Sequence, residues 1–205
     1  MKKNLLFILL FITAGLMAQE TSFGAKLNGV FTTFNISGDG AEMNNYSEGK
    51  PGLSLGLIAE FGLSDNFAIA PELLYSSAGD IFKMSESGAS METKFFLSYL
   101  QIPIMAKYYI NDSFYLNAGP QIGFLMSADG EYTVTYDGET ETDSEDIKDE
   151  FNSNDFGFNI GAGYKLESGL FFDFRYTAGL SDIIVDKDSQ VKNSALQFGI
   201  GYFFN

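Results

Sequence analysis

Residues 53–66 read Leu-Ser-Leu-Gly-Leu-Ile-Ala-Glu-Phe-Gly-Leu-Ser-Asp-Asn, and their alternation decides the fold. Leu53, Leu55, Leu57, Ala59, Phe61 and Leu63 share one face of an extended chain; Ser54, Gly56, Ile58, Glu60 and Gly62 share the other. Successive side chains on a strand point to opposite sides of a sheet, so the apolar and the mixed sets part cleanly. A short break, Ser64–Asn66, separates this run from the next.

The pattern recurs along the chain. In 114–126, Phe114, Leu116, Ala118, Pro120, Ile122, Phe124 and Met126 oppose Tyr115, Asn117, Gly119, Gln121 and Gly123. In 155–166, Phe156, Phe158, Ile160, Ala162, Tyr164 and Leu166 oppose Gly157, Asn159, Gly161, Gly163 and Lys165. In 193–204, Leu196, Phe198, Ile200, Tyr202 and Phe204 oppose Gln197, Gly199 and Gly201. Eight such stretches occur, and the gaps between them alternate in length. Ser64–Asn66, Asn111–Ser113 and Glu167–Gly169 are short; 36–51, 78–92, 127–154 and 179–192 are long. Tight turns at one rim and long loops at the other are the rhythm of an outer membrane barrel. The expected fold is all-β: an eight-stranded antiparallel up-and-down transmembrane β-barrel, closed by pairing 193–204 with 23–35.

A soluble, lipocalin-like barrel would show the same period turned inside out. Three features favour the membrane. The apolar faces carry almost no charge, and a lipid-facing Lys or Arg at midplane costs about 2–4 kcal/mol. Aromatics gather at strand ends: Phe61, Phe67, Tyr108, Phe114, Tyr164, Phe172, Tyr202 and Phe204 near the short turns, and Tyr75, Phe96, Phe124, Phe156 and Tyr176 near the long loops. Two such belts fit two membrane–water interfaces. The strands are also long for a small soluble sheet. Pro71, Pro103 and Pro120 resist the scheme, since a closed barrel has no free edge for a missing N–H. Ladder disruption is expected around Pro103.

The N-terminus adds a second segment. Lys2 and Lys3 precede the apolar run Leu5–Ile12, and Ala18-Gln19 offers a cleavage point, so 1–18 is expected to be a signal peptide and 19–205 the barrel domain. The run is short of the ~20 residues a spanning helix needs. Both mature ends are then expected in the periplasm.

Composition removes several functions. Asp and Glu number 27 against 12 Lys and Arg, which argues against nucleic acid, because phosphate binding needs clustered basic residues. The absence of cysteine rules out disulfides and thiol chemistry. The absence of histidine removes Ser-His acyl transfer, and zinc sites built on His or Cys go with it. Paired carboxylates could still do acid–base work. Asp173 and Arg175, two apart on one strand face, read better as a structural pair. No catalytic, cofactor-binding or metal residue is assigned, no cofactor is expected, and the chain is not read as an enzyme.

One run carries a family likeness. Tyr99-Leu100-Gln101-Ile102-Pro103-Ile104-Met105-Ala106-Lys107-Tyr108-Tyr109 resembles the fourth strand of the PorT-like outer membrane β-barrel domain of the Bacteroidetes. Asn117-Ala118-Gly119-Pro120 and Phe158-Asn159-Ile160-Gly161-Ala162-Gly163-Tyr164 match that family's next strands. The run Leu196–Phe204 resembles the terminal signal recognised by the barrel-insertion machinery, except that Asn205 follows the aromatics. The likeness implies fold and outer membrane location. Some relatives serve in protein secretion, but the shared motifs are strand grammar and do not transfer that role.

Carrying the phase around the sheet puts Lys26, Glu60, Glu72, Lys107, Lys165, Asp173 and Arg175 in the lumen, beside Asn28, Gln101, Asn117, Gln121, Asn159 and Gln197. Near-balanced charge favours a filled interior over an ion path, and eight strands are just wide enough for side chains to fill. Loop 127–154 holds Asp129, Glu131, Asp137, Glu139, Glu141, Asp143, Glu145, Asp146, Asp149 and Glu150 against Lys148 alone. Asp137-Gly138 is a hairpin signal, so a ribbon over Tyr132–Thr142 is expected, with the remainder mobile. Carboxylates at this density could bind calcium; a solvated acidic loop is the favoured reading. The expected role is structural or interaction-based, through the extracellular loops. The alternative is a narrow passive pore or a component of a secretion assembly. Outer membrane lipid and the insertion machinery are the expected partners, together with an unidentified extracellular or secretion-system protein.

Overall fold

The computed structural model describes residues 21–86, 88–186 and 189–204. The proposed signal peptide lies outside the described residues. Ten strands form one antiparallel sheet: β1 Thr21–Gly38, β2 Lys50–Ser64, β3 Phe67–Ala78, β4 Ile81–Glu86, β5 Ala89–Tyr109, β6 Phe114–Tyr136, β7 Glu139–Asp146, β8 Asn154–Lys165, β9 Leu170–Gly179 and β10 Ser189–Phe203. Eight of them close a ring in the order β5-β3-β2-β1-β10-β9-β8-β6, with β6 pairing back to β5. The predicted seam is present, running from Gly24 opposite Phe203 to Gly38 opposite Ser189.

The two further strands were not in the eight-strand expectation. They lie outside the ring, at the long-loop end. β4 pairs with the outer part of β5 (Ile81 opposite Lys94), and β7 with the outer part of β6 (Asp129 opposite Asp146). Because β5 and β6 stay paired as far as Ala89 and Tyr136, the four strands make a fin that rises from the barrel wall. At its tip Asp137 and Gly138 both take positive φ (49° and 84°), the conformation that favours Asp-Gly in two-residue hairpins.

Faces follow the period. Leu53, Leu55 and Leu57 are exposed while Ser54, Ile58 and Glu60 are buried. Ile160 and Ile200 are likewise exposed, and Tyr115, Asn117 and Gln121 buried. Exposed leucines around a buried polar interior are the membrane arrangement and the reverse of a soluble barrel. Tyr75, Phe96, Phe124, Phe156 and Tyr176 are exposed at one rim, and Tyr108, Phe114, Tyr164, Tyr202 and Phe204 at the other.

The prolines interrupt the ladders without shifting them. Between β3 and β5, pairing breaks after Pro71–Ile104 and resumes at Leu74–Gln101. Between β5 and β6 it breaks after Pro103–Gln121 and resumes at Ala106–Ala118. A missing N–H costs a rung but leaves the register intact. A true register shift occurs higher up, between Ser98 and Tyr99. It moves the inward phase of β6 from Leu125 to Ala128.

Candidate functional site

The interior is stacked in layers. At the short-turn end Lys107 Nζ donates to Glu60 Oε2 at 2.6 Å, Tyr109 Oη donates to Glu60 Oε1 at 2.8 Å, and Lys165 Nζ reaches the same oxygen at 3.2 Å. The Lys107 ammonium sits 4.5 Å from the Tyr115 ring centroid and 5.5 Å from those of Phe171 and Phe203. Two glycines make room for these rings. A Cβ on Gly163 would stand 2.2 Å from Tyr115 Cζ, and one on Gly201 2.2 Å from Phe171 Cζ.

A second ion layer lies deeper. Arg175 donates to both Glu72 oxygens at 2.9 and 3.0 Å, and Lys26 Nζ donates to Asp173 Oδ2 at 2.6 Å. Lys26–Glu72 at 3.6 Å and Arg175–Asp173 at 3.3 Å complete a quartet of two cations and two anions. All seven charges read into the lumen from the sequence face it. Six are buried, and the Lys165 side chain keeps 28% exposure at the rim. Asp173 and Arg175 do meet, but the partners that bind each most tightly are Lys26 on β1 and Glu72 on β3, strands that do not neighbour β9.

Above the quartet lies a layer of uncharged polar side chains with one carboxylate, Asp155. Thr177 Oγ1 donates to Asn159 Oδ1 at 2.6 Å and accepts from Gln197 Nε2 at 2.9 Å. Asp155, which the sequence reading did not single out, accepts from Asn193 Nδ2 and Ser181 Oγ. The cavity left in this layer, about 10 Å³, is no larger than one water.

The long-loop mouth is closed by apolar side chains: Phe34, Phe82, Leu97, Tyr99, Leu125, Ile147, Phe151, Ile183 and Val191. Three of these corrected the picture of the loops. Ile147 and Phe151 leave the acidic loop and fold into the mouth, and Ile183 does the same from the last long loop. Regular structure in 127–154 also extends past the expected Thr142 to Asp146. Its carboxylates do not converge: among the described residues no group of three or more His, Cys, Asp or Glu could hold a metal ion.

Above this floor opens a cavity of about 570 Å³. Phe34, Ile36, Met43, Phe82, Phe95 and Phe151 form its walls, and Asp149, Glu150 and Asp186 stand among its lining residues. Phe95 holds ring centroids of Phe34, Phe82 and Phe151 at 5.8, 5.9 and 6.4 Å. The walls are tied by two polar hubs, one buried and one half-buried. The Asp80 carboxylate, fully buried, accepts from the backbone of Phe34, Gly49 and Ile81 and from the hydroxyls of Thr33 and Ser47. Asp182 Oδ1 accepts from the backbone of Ile184 and Val191, and Asn152 Nδ2 donates to the carbonyls of Asp182 and Ile184. Asp80 thereby ties β1 and the segment before β2 to the start of β4, and the Asp182–Asn152 pair ties the segment before β8 to the last long loop and β10.

A closed ring with an apolar outer belt, a filled polar interior and elaborated loops at one end defines a small outer membrane β-barrel. Residues 17–185 match the family model described as "Outer membrane protein beta-barrel domain", and the chain belongs to that family. Similar solved structures include the attachment invasion locus protein Ail of Yersinia pestis (14% identity, TM-score 0.44, covering 90% of this chain and 97% of that one). Neisserial surface protein A (10%, 0.45, 90% and 99%) and OprG from Pseudomonas aeruginosa (12%, 0.43, 92% and 97%) are also similar. No curated protein matches the chain. The protein is an outer membrane protein.

Proposed function

We propose that the barrel is a closed scaffold, not a passage, and that it acts through the loop assembly at its long-loop end. In outer membrane barrels that end faces the outside of the cell. The observation that carries this reading is the unbroken stack within the lumen. The Lys26–Glu72–Asp173–Arg175 quartet crosses the interior, and the Phe34–Phe151–Ile183 cluster seals the mouth above it. An ion would have to displace both a paired charge layer and an apolar floor. The proposed role is non-enzymatic and interaction-based, with lipid around the outer belt. The Tyr99–Tyr109 run supports placing the chain in the PorT-like group of the Bacteroidetes, and the secretion role of some members is not carried over on strand motifs alone.

Planar-bilayer recording of the purified protein tests this. The expected result is no steady single-channel current in 1 M salt. Reproducible unitary steps that vanish on Arg175 or Glu72 substitution would instead establish a narrow pore.

A further inference from the structure

The cavity at the mouth has the dimensions and construction of a small-molecule site. Its volume of about 570 Å³ falls within the roughly 300–1,000 Å³ usual for such pockets. Its wall residues are tied into the fold, since Asp80 accepts from the backbone of Phe34 and Asp182 from the backbone of Ile184 and Val191. A preorganised pocket spares its ligand the cost of ordering those residues.

The chemistry selects a sign of charge. Phe34, Phe82, Phe95 and Phe151 present a cluster of rings whose faces carry negative quadrupole potential and attract organic cations. Asp149 and Glu150 are exposed at the same cavity, with Asp186 beside them, and no Lys or Arg stands among its described lining residues. Lys148, next in the chain, is turned away, its Nζ donating to the Met126 carbonyl at 2.8 Å. Apolar walls and an anionic opening together fit a molecule with an apolar body and one positive end. On the fin, the face that supplies Thr93 and Phe95 to the cavity continues through Met91 and Val134, so the walls extend outward as an apolar approach.

We infer that this pocket binds a small organic cation with an aromatic or aliphatic body, from the outside and without passing it through the barrel. The inference rests on the closed-scaffold reading above and adds a ligand class to it.

Three probes of one shape and different charge test it: 4-phenylbutylammonium, 4-phenylbutanol and 4-phenylbutyrate. The protein is placed in zwitterionic lipid nanodiscs with its methionine methyls labelled with carbon-13. Met43 lines the cavity, Met105 lies buried in the barrel, and Met126 faces lipid, so one spectrum separates pocket binding from partition into the bilayer. The expected result is a saturable shift of Met43 with Met105 and Met126 unmoved. The ammonium should bind about tenfold more tightly than the alcohol, equivalent to about 1.4 kcal/mol, and the carboxylate more weakly than either. Asp149→Asn with Glu150→Gln should bring ammonium and alcohol affinities together, leaving the alcohol unchanged. Thr93→Trp, which fills the cavity, should abolish all three. Equal affinity for the three probes, an unmoved Met43, or a Met126 shift that tracks Met43 would each overturn the inference. Leak of the ammonium through proteoliposomes faster than through protein-free vesicles of the same lipid fails the closed scaffold whatever Met43 does; silence at Met43 without that excess leak fails the pocket alone.

Discussion

Neutralising Glu72 should expose how the charged layer holds together. Glu72 accepts both arms of the Arg175 guanidinium at 2.9 and 3.0 Å and lies 3.6 Å from Lys26. The quartet is balanced, and every member is buried. Glu72→Gln leaves one uncompensated positive charge in the interior and takes a bidentate acceptor from Arg175. Breaking a buried pair in this way costs about 3–5 kcal/mol. Arg175→Met leaves one uncompensated negative charge, at a similar cost of about 3–5 kcal/mol. The double variant retains Lys26 and Asp173, already bonded at 2.6 Å, and the layer is again neutral. Its cost should therefore be far below the sum of the singles, with a coupling energy of about 3 kcal/mol, at the top of the range for contacting residues. Urea unfolding in phospholipid vesicles measures this, read by the band shift between folded and unfolded forms on unheated gels. Tyrosine fluorescence supplies a second probe, since the chain has no tryptophan. Additive single and double costs would refute the balanced-quartet reasoning, and cheap single variants would show that water already solvates the layer.

Glu48, in the loop before β2, and Lys83, Glu92, Lys94 and Glu131 on the fin strands β4, β5 and β6 form a chain of partly exposed ion pairs. Hydrogen bonding from Lys94, then Lys83, holds the Glu92 carboxyl below its ordinary range, and hydrogen bonding to Glu131, then Glu92, pushes Lys94 up to about 12. The Glu92 contribution is thus present above the ordinary glutamate pKa and lost as pH falls through the depressed value; that of Lys94 is intact below the ordinary lysine pKa and lost as pH rises through about 12. Amide protection in Thr93, Lys94 and Thr133, corrected for intrinsic exchange, should be level from about pH 5 to 10 and decline slightly outside it, the pairs being partly exposed and salt-screened; a decline inside that window would contradict the assignment. Asp80→Ala removes the acceptor of five donors and should raise exchange at Phe34, Gly49 and Ile81 while leaving barrel amides such as Leu57 protected; unchanged exchange at the first three would show that the hub holds nothing. Gly163→Leu drives a side chain into the Tyr115 ring and should destabilise the barrel by about 1–3 kcal/mol, read in the same urea assay, whereas an unchanged midpoint would mean the ring has room to move.

The barrel was legible because period two is written residue by residue. Leu53 to Leu63 show it, and the same rule placed Lys26, Glu72 and Arg175 inside. Who meets whom inside was not legible. Lys26 pairs with Asp173 and Arg175 with Glu72 through the stagger of strands around the ring, a property of closure that no local run encodes. The mouth was hidden for a different reason. Ile147 and Phe151 are isolated apolar residues in a strongly acidic stretch, and Asp80 is one aspartate in a polar gap, so composition assigns all three to solvent. The bulge beside Tyr99 also breaks the alternation of β6 at Met126, which ended the strand too early on paper and concealed the fin.

The seam between β1 and β10 gives assembly a deadline. All other neighbours in the ring are consecutive in the chain or separated by one fin strand and can pair locally; this ladder needs the first and last strands together. Until β10 exists, the growing sheet has two bare edges, and each unsatisfied backbone group costs several kcal/mol in hydrocarbon. A partial sheet therefore cannot rest alone in the bilayer. It has to wait outside, or lean on a borrowed strand that β10 later displaces. Entry into the membrane is for this chain a single event, timed by its final strand.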